Sequence, residues 1–253
     1  SQEVAETTIN SNKLEANVLD FRVYNRNKET LYYSLGSAVD DASAQNIIEM
    51  WPGMYEENVV VNTRLTIIGS GTSRTIIDAR TKGAAIKFNN YQTDYSVIKN
   101  LRVTHSSETT SSCYSLNTAP NGGIVLYYSD YITIENVHFF ETYNGLMTYQ
   151  SSNLNVKNSI FDRGTLTLST FNYGIYICQG SNIRIENNEI KKYSYGVKIE
   201  YVYQGLEFYN NHLHNNTQFG VYYIHSGYYS YPGNPNKIIN NRIIDNYYGL
   251  YSY

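Results

Sequence analysis

A file of aromatic side chains is the first feature that suggests chemistry. The chain contains 28 tyrosines, and equivalent places of a repeating pattern hold Tyr176, Lys198, Tyr222 and Tyr251. We expect these side chains to point outward. A tyrosine ring offers an apolar face with a hydroxyl group at its edge, which suits stacking on a sugar ring. The alternative is that tyrosine only covers exposed sheet, since it favours strands. The four residues are therefore a candidate carbohydrate-binding site.

Two histidines and a carboxylate form the candidate metal site. His212 and His214 flank an apolar leucine on one predicted strand, so both imidazoles should face outward. The repeat places Glu189 beside His212, and two histidines with a carboxylate can bind zinc or copper. Lys191 and Arg242 are expected nearby, and their charges favour the alternative of solvated surface histidines. The sequence requires no cofactor.

Carboxylates offer little support for catalysis. A glycoside hydrolase needs two carboxyl groups that face one substrate groove. Asp78, Asp130, Asp162 and Asp245 fall at different positions of the repeat, which favours roles in turns and on the surface. A lyase needs a base and a cation that neutralises a uronate carboxylate. Outward charges exist, but they alternate in sign from repeat to repeat, which predicts cross-strand ion pairs. We predict no catalytic residue.

The elements that must position these residues repeat along the chain. Glycines that open apolar runs recur 22 to 40 residues apart from Gly83 to Gly249. Self-similarity of this period is typical of a solenoid, and 22 residues suit one coil of three short strands. Two files of apolar residues are expected to face inward, namely Ile124, Leu146, Ile175, Val197, Val221 and Leu250, and Phe139, Phe161, Ile190, Leu213 and Ile243.

One turn of each coil carries an asparagine. Asparagine tolerates turn dihedral angles, and stacked amides can form a hydrogen-bonded ladder. We predict such a ladder along Asn100, Asn136, Asn158, Asn187, Asn210 and Asn240.

The ends of the solenoid need separate elements. Residues 1–33 are predicted to be an N-terminal extension with a first strand at Leu19–Tyr24, and residues 34–253 the solenoid. Ser34–Gln45 is the best helix candidate and would cap the open core, as a solenoid requires. The last coil stops after its first strand, so an exposed rung could template another molecule. We expect end-to-end self-association.

Composition excludes several classes of partner. Charged residues make up 16% of the chain and the net charge is −3, which argues against nucleic acid as a partner. The sequence has no apolar run of 18 residues, so no membrane span is expected. The first residue is serine, which fits a processed secreted protein or a trimmed chain. Whether Cys113 and Cys178 form a disulfide stays open.

The N-terminal coils resemble a known family. Trp51-Pro-Gly-Met-Tyr-Glu-Glu-Asn58, followed by Leu65-Thr-Ile-Ile-Gly69 and Thr75-Ile-Ile-Asp78, is similar to the pectate-lyase-like superfamily, and closest to its NosD-type branch of carbohydrate-binding and sugar-hydrolase repeats. The resemblance covers about residues 34–253. It implies an all-β fold, a single-stranded right-handed parallel β-helix with a short N-terminal capping helix, and extracytoplasmic placement. The Asp-Asp, Gly-His-Gly and Arg-Ile-Lys phrases of enzymatic members are missing, so the resemblance implies no particular reaction.

Three classes of function therefore remain. The first is a non-catalytic secreted or cell-surface scaffold that self-associates into a homo-oligomer or filament, which we favour at this stage. The second is a carbohydrate-binding module that uses the tyrosine residues to hold a polysaccharide. The third is a polysaccharide lyase or glycoside hydrolase.

Overall fold

The computed structural model of the chain describes residues 22–107, 113, 121–166, 171–202, 204–224 and 235–253. Within them the chain forms a right-handed parallel β-helix, as the sequence predicts. One helix, α1, spans Leu35–Asp40, and a short 3-10 helix spans Tyr91–Thr93. The strands are β1 (Val23–Asn25), β2 (Thr30–Tyr32), β3 (Asn46–Met50), β4 (Gly53–Tyr55), β5 (Val59–Val61), β6 (Leu65–Ile68), β7 (Thr75–Asp78), β8 (Ile86–Phe88), β9 (Val97–Thr104), β10 (Ile124–Tyr127), β11 (Thr133–Phe140), β12 (Leu146–Tyr149), β13 (Asn155–Lys157), β14 (Ile160–Asp162), β15 (Tyr173–Gly180), β16 (Arg184–Glu186), β17 (Glu189–Lys191), β18 (Tyr195–Val202), β19 (Glu207–Tyr209), β20 (His212–His214), β21 (Phe219–Ile224), β22 (Lys237–Ile239), β23 (Arg242–Ile244) and β24 (Tyr248–Ser252).

The strands stack into three parallel strips, one for each side of a coil. The first strip runs from β3 through β6, β9, β11, β13, β16 and β19 to β22. The second strip contains β4, β7, β14, β17, β20 and β23 and shares β9 and β11, which bend from one strip into the other. The third strip is a separate sheet of eight strands from β5 to β24. Among the described strands, antiparallel pairing occurs only at the N-terminal end, where β1 pairs with both β2 and β3.

The core lies inside the coils, and both inward files are confirmed. Each residue of the two files pairs with its equivalent in the next coil. All of them are buried except Ile243, which is partly buried, and Leu250, which is exposed on the last described coil. The repeating glycines have a packing reason. A Cβ atom at Gly174 would lie 2.6 Å from the carbonyl oxygen of Gly196 and 2.6 Å from Ile190 Cγ2.

The capping helix is confirmed but is shorter than the predicted Ser34–Gln45. It buries Leu35, Ala38 and Val39 on the end of the core, and Ser34 caps its N-terminus. The side chain of Ser34 accepts a hydrogen bond from the backbone N–H of Ser37 at 3.0 Å, which satisfies one free donor of the first turn. The helix ends at Asp40 because the chain must turn back into β3.

The first strand is also displaced from its predicted place. The sequence pattern predicts a strand over Leu19–Tyr24, whereas β1 begins at Val23. The rest of the N-terminal extension, residues 1–21, lies outside the described residues. No helix among the described residues has the length and apolar character that crossing a membrane requires.

The asparagine ladder exists, but most of it is one residue further along than predicted. The six predicted asparagines all adopt positive φ values of 50° to 60°, which confirms their role in the turn. Of these six, Asn136 donates to Asn100 Oδ1 at 2.9 Å. The continuous buried ladder uses the next residue of each turn, where side-chain oxygen atoms accept backbone N–H groups from the preceding coil. Its members are Ser159, Asn188, Asn211 and Asn241.

Candidate functional site

The tyrosine face is the outer surface of the third strip at its C-terminal end, and it carries Tyr195, Phe219, Tyr222, Tyr248 and Tyr251. Tyr222 and Tyr251 stack with ring centroids 5.1 Å apart and an interplanar angle of 5°. The parallel file stacks Tyr195 on Phe219 at 5.1 Å and Phe219 on Tyr248 at 5.0 Å. The two files meet edge to face, because Tyr222 lies 4.9 Å from Phe219. Parallel strand register thus creates a continuous aromatic strip, as the repeat predicts.

Tyr176 does not belong to this open strip, and the expectation that it faces solvent is wrong. It points out of the coil as expected, but its side chain is completely buried. Among the described residues, Cys113 packs against Tyr176 in one cluster and forms a disulfide bond with Cys178 across 65 residues. Together with Val125, Met147, Tyr149 and Tyr173 these residues form a second apolar cluster outside the coils. A buried ring cannot stack on a sugar.

Two features of the sequence relate to the burial of Tyr176, but the sequence alone does not show how they are connected. Cys113 lies in a segment longer than the coil requires, and Cys178 lies on the outer surface of β15. Cysteine spacing does not determine pairing, so the link between the segment and the strip had to come from the structure.

Lys198 also differs from the expected ligand-binding residue. Its Nζ atom lies 3.0 Å from Glu200 Oε1, and the two side chains are only 14% and 11% exposed. The ammonium group lies over the ring of Tyr176, 4.8 Å from its centroid. Glu200 in turn accepts a hydrogen bond from the Tyr176 hydroxyl group. Burial, and secondly this bond to Glu200, raise the pKa of Tyr176, so its hydroxyl group stays protonated. The positive charge of Lys198 is therefore already paired with Glu200, next to the buried ring of Tyr176.

The histidine face is the outer surface of the second strip, and it holds four of the five histidines: His105, His138, His212 and His214. The fifth, His225, lies outside the described residues. The predicted neighbours are confirmed, because Glu189 is opposite His212, Lys191 is opposite His214 and Arg242 is on the other side of His212.

The candidate metal ligands are brought together on this face. One ligand atom each from Glu189, His212 and His214 lies within 4.8 Å of the other two. His214 Nε2 is 3.0 Å from Glu189 Oε1, and the two imidazole rings stack with centroids 4.3 Å apart. Lys191 Nζ also contacts Glu189 Oε1, at 2.8 Å. Burial and the nearby charges of His214 and Arg242 lower the pKa of His212, which favours its neutral form.

A second group on the histidine face, His105 with Asp78 and Glu141, was not predicted from the sequence. His105 Nδ1 lies 3.0 Å from Asp78 Oδ2, and His105 Nε2 lies 3.4 Å from Glu141 Oε2. His105 thus contacts one carboxylate through each ring nitrogen, and Glu141 was not among the four acidic residues compared in the sequence. The sequence did not show this contact because β7, β9 and β11 are separated by segments of unequal length.

Asp130 is a turn residue, since its Oδ1 atom accepts the backbone N–H of Ser152 at 2.7 Å.

His138 is partly buried on this face, yet it is poorly suited to general-base catalysis at neutral pH. Burial, and then the positive charge of Arg102, lower its pKa to about 4. Asp162, which raises it slightly, already contacts Lys192 at 3.1 Å and Lys191 at 3.7 Å. A catalytic base works best with a pKa near the operating pH. The imidazole of His138 is neutral at pH 7 but weakly basic.

The alternating charges of the first strip are confirmed as ion pairs between coils. Arg184 contacts Glu207 of the next coil at 2.8 Å and Glu186 of its own strand at 2.7 Å. Lys157 contacts Glu135 of the preceding coil at 3.3 Å. These residues bind one another, which accounts for them without catalysis.

Comparison with known proteins identifies the class. Residues 58–253 match the family model described as right handed beta helix region, and the chain belongs to this family. No curated protein matches the sequence.

Solved structures share the fold at low identity. The A-module of mannuronan C-5 epimerase AlgE4 from Azotobacter vinelandii is 16% identical over 84% of this chain, with a TM-score of 0.60. The catalytic domain of a GH87 α-1,3-glucanase is 18% identical over 81% of this chain and 41% of its own, with a TM-score of 0.48. The A-module of AlgE6 from the same bacterium is 15% identical over 86% of this chain and 72% of its own, with a TM-score of 0.42. The chain spans 60% of the AlgE4 module.

Proposed function

We propose that this β-helix binds a polysaccharide on the tyrosine face. The observation that carries the proposal is the aromatic strip, in which Tyr222 and Tyr251 present parallel rings on successive coils, 5.1 Å apart. Tyr222 stays partly exposed with the next coil stacked on it, so the strip reaches the surface. The fold shared with an enzyme named for mannuronan is consistent with a polysaccharide ligand.

The physical reason is the match between a repeating ligand and a repeating surface. Tyr222 and Tyr251 cover each other's facing ring surfaces, so the apolar face of a pyranose ring can pack only on the outer faces and edges of the strip, where its hydroxyl groups need polar partners. Coils stack about 4.8 Å apart, so the surface repeats along the rod as a polysaccharide repeats along its chain. The Tyr222 and Tyr251 hydroxyl groups lie at the edges of the same rings.

The charges next to the strip favour a neutral glycan over a uronate. A uronate carboxylate requires a cation that is available to pair with it. Lys198 lies on β18, the strand that also carries Tyr195 of the tyrosine face, and it is already paired with Glu200. Breaking this pair would leave a partly buried carboxylate without its partner, which is costly. The glycan expected is therefore neutral, unlike mannuronan.

Binding to a panel of neutral and uronate oligosaccharides tests the proposal. Replacing Tyr222 or Tyr251 by alanine removes one stacking ring, worth about 1 kcal/mol or a several-fold loss of affinity, and the double replacement should lower the affinity roughly 30-fold. Tyr91→Ala is the matched control, because Tyr91 is an exposed tyrosine (74%) far from the strip. Failure of the wild type to bind any glycan, or equal binding by the double variant, would overturn the proposal.

The alternatives are separated by two further measurements. A lyase or glycoside hydrolase would shorten the bound glycan, so its chain length is followed during incubation. The self-associating scaffold expected from the sequence stays a prediction, and sedimentation over a range of protein concentrations tests it.

We further propose that the protein is secreted or displayed at the cell surface, because a disulfide such as Cys113–Cys178 forms in oxidising compartments.

A further inference from the structure

A pair of histidines on β20 is arranged for joint binding. Strand geometry places alternate residues on the same side, so His212 and His214 both point outward while Leu213 is buried in the core. Their rings stack with centroids 4.3 Å apart and an interplanar angle of 24°. The rigid coil therefore holds two imidazoles side by side.

The neighbouring coil supplies a carboxylate at the same place. Glu189 on β17 pairs in register with His212, and its Oε1 atom lies 3.0 Å from His214 Nε2. The three ligand atoms lie within 4.8 Å of one another. Ligand atoms around tetrahedral zinc are about 3.3 Å apart, given metal–ligand distances near 2.0–2.1 Å. The three atoms must therefore approach one another by up to about 1.5 Å, through side-chain rotation, to share one ion.

A separate observation indicates that the group is incomplete. His212 Nε2 is buried and has no hydrogen-bond partner among the described residues. Buried polar atoms are almost always paired, so an unpaired imidazole nitrogen calls for an explanation, and a role as a metal ligand is one. Neutral imidazole nitrogen is a good ligand for zinc and copper.

We propose that Glu189, His212 and His214 form a binding site for a divalent transition-metal ion, with zinc as the best match to two nitrogen ligands and one carboxylate. The fourth position of a tetrahedral ion would remain open to water. This site is on the histidine face and is independent of the glycan proposed for the tyrosine face.

Nearby cations set the strength of this site. Lys191 Nζ lies 2.8 Å from Glu189 Oε1, so the metal ion must displace it from that oxygen. Lys191 keeps a second acid, Asp162 Oδ2, at 3.7 Å. Arg242 lies next to His212 in the register and also disfavours a dication. Affinity is therefore expected to be limited by Lys191, and Lys191→Met should bind zinc more tightly than the wild type.

Calorimetric titration with zinc chloride tests the site on protein that has been stripped with a chelator and dialysed. The wild type should bind one equivalent. His212→Ala, His214→Ala and Glu189→Gln should each lose roughly tenfold or more in affinity. His105→Ala is the matched control, since this histidine is on the same face but outside the site. With copper(II) in place of zinc, electron paramagnetic resonance should show two nitrogen ligands in the wild type and one in either histidine variant.

Glu189→Gln guards against misfolding, because it keeps the size and hydrogen-bonding reach of the side chain while removing its charge. Circular dichroism spectra of all variants should match the wild type. The proposal is overturned if the wild type shows no saturable zinc binding. It is also overturned if the His212→Ala/His214→Ala double variant binds zinc as well as the His105→Ala control does.

Discussion

Removing the side chain of Asn211 should break the buried ladder that joins three coils. Asn211 is 1% exposed. Its Oδ1 atom accepts hydrogen bonds from the backbone N–H and the side-chain amide of Asn188, both at 3.0 Å. Its Nδ2 atom donates to the carbonyl oxygen of Ile185 at 2.9 Å and to Asn241 Oδ1 at 3.0 Å. Asn211→Ala deletes all four hydrogen bonds.

The magnitude follows from these contacts. Each hydrogen bond contributes about 0.5–1.5 kcal/mol net, so four give roughly 2–6 kcal/mol. The backbone N–H of Asn188 and the carbonyl group of Ile185 stay buried and lose a partner. This adds a desolvation cost, so the expected loss lies well above the lower end of that range. We expect Asn211→Ala to lower the free energy of unfolding by about 3–4 kcal/mol.

Urea denaturation followed by two spectroscopic probes measures this loss. Amide hydrogen exchange at Asn188 should show that protection is lost locally. Asn211→Ser should recover about 1 kcal/mol, since one hydroxyl group can replace one acceptor. The precedent is in the chain, because Ser159 Oγ accepts the backbone N–H of Val137 at 3.1 Å at the equivalent place.

The control is Asn210→Gly, at the exposed neighbouring residue, whose φ is 53°. Glycine tolerates this backbone conformation, so the loss should stay below about 1 kcal/mol. If Asn211→Ala costs no more than Asn210→Gly, the ladder does not stabilise the coils as argued.

Three further predictions concern stability. Replacing Cys113 and Cys178 by serine should remove about 4 kcal/mol in the chain-entropy model for a closed loop of 65 residues, as thermal unfolding will measure. Gly174→Ala should cost about 1–3 kcal/mol in urea denaturation, because its Cβ atom would lie 2.6 Å from a backbone oxygen of the next coil. His138 has a folded-state pKa of about 4, below its ordinary value, so the stability linked to it is present above pH 6.5 and is lost as pH falls toward 4, which denaturation across this range will measure.

Each of these has its own control. A reducing agent should destabilise the wild type and leave the double serine variant unchanged. Gly36→Ala should cost less than Gly174→Ala, since its Cβ atom would meet no backbone atom of another coil, only Glu57 Oε2 at 3.3 Å and Ser34 Oγ at 4.0 Å. In His138→Gln the loss of stability between pH 6.5 and 4 should be smaller, and an unchanged pH profile would refute the assigned pKa.

The sequence alone determined the coils, the residues that they bury and the side chains that meet between neighbouring coils. A repeat of glycine, apolar residue and asparagine predicts inward files, and Ile124, Leu146 and Ile175 are stacked as expected. The charge pairs of Arg184 and the neighbours of His212 were predictable for the same reason. In a parallel β-helix the contact partner of a residue is its equivalent one coil away, so alignment of the repeats is enough to find it.

Only the tertiary structure decided what the irregular parts do. Tyr176 and Tyr222 occupy equivalent positions, yet one is buried and the other is on the aromatic strip, because Cys113 folds onto one of them. His105 lies between Asp78 and Glu141 through segments that do not follow the repeat. Contacts of inserted segments are long-range and carry no period, so the sequence pattern holds no information about where they lie. The open part of the tyrosine face is therefore a property of the folded chain, while the file of tyrosines is a property of its sequence.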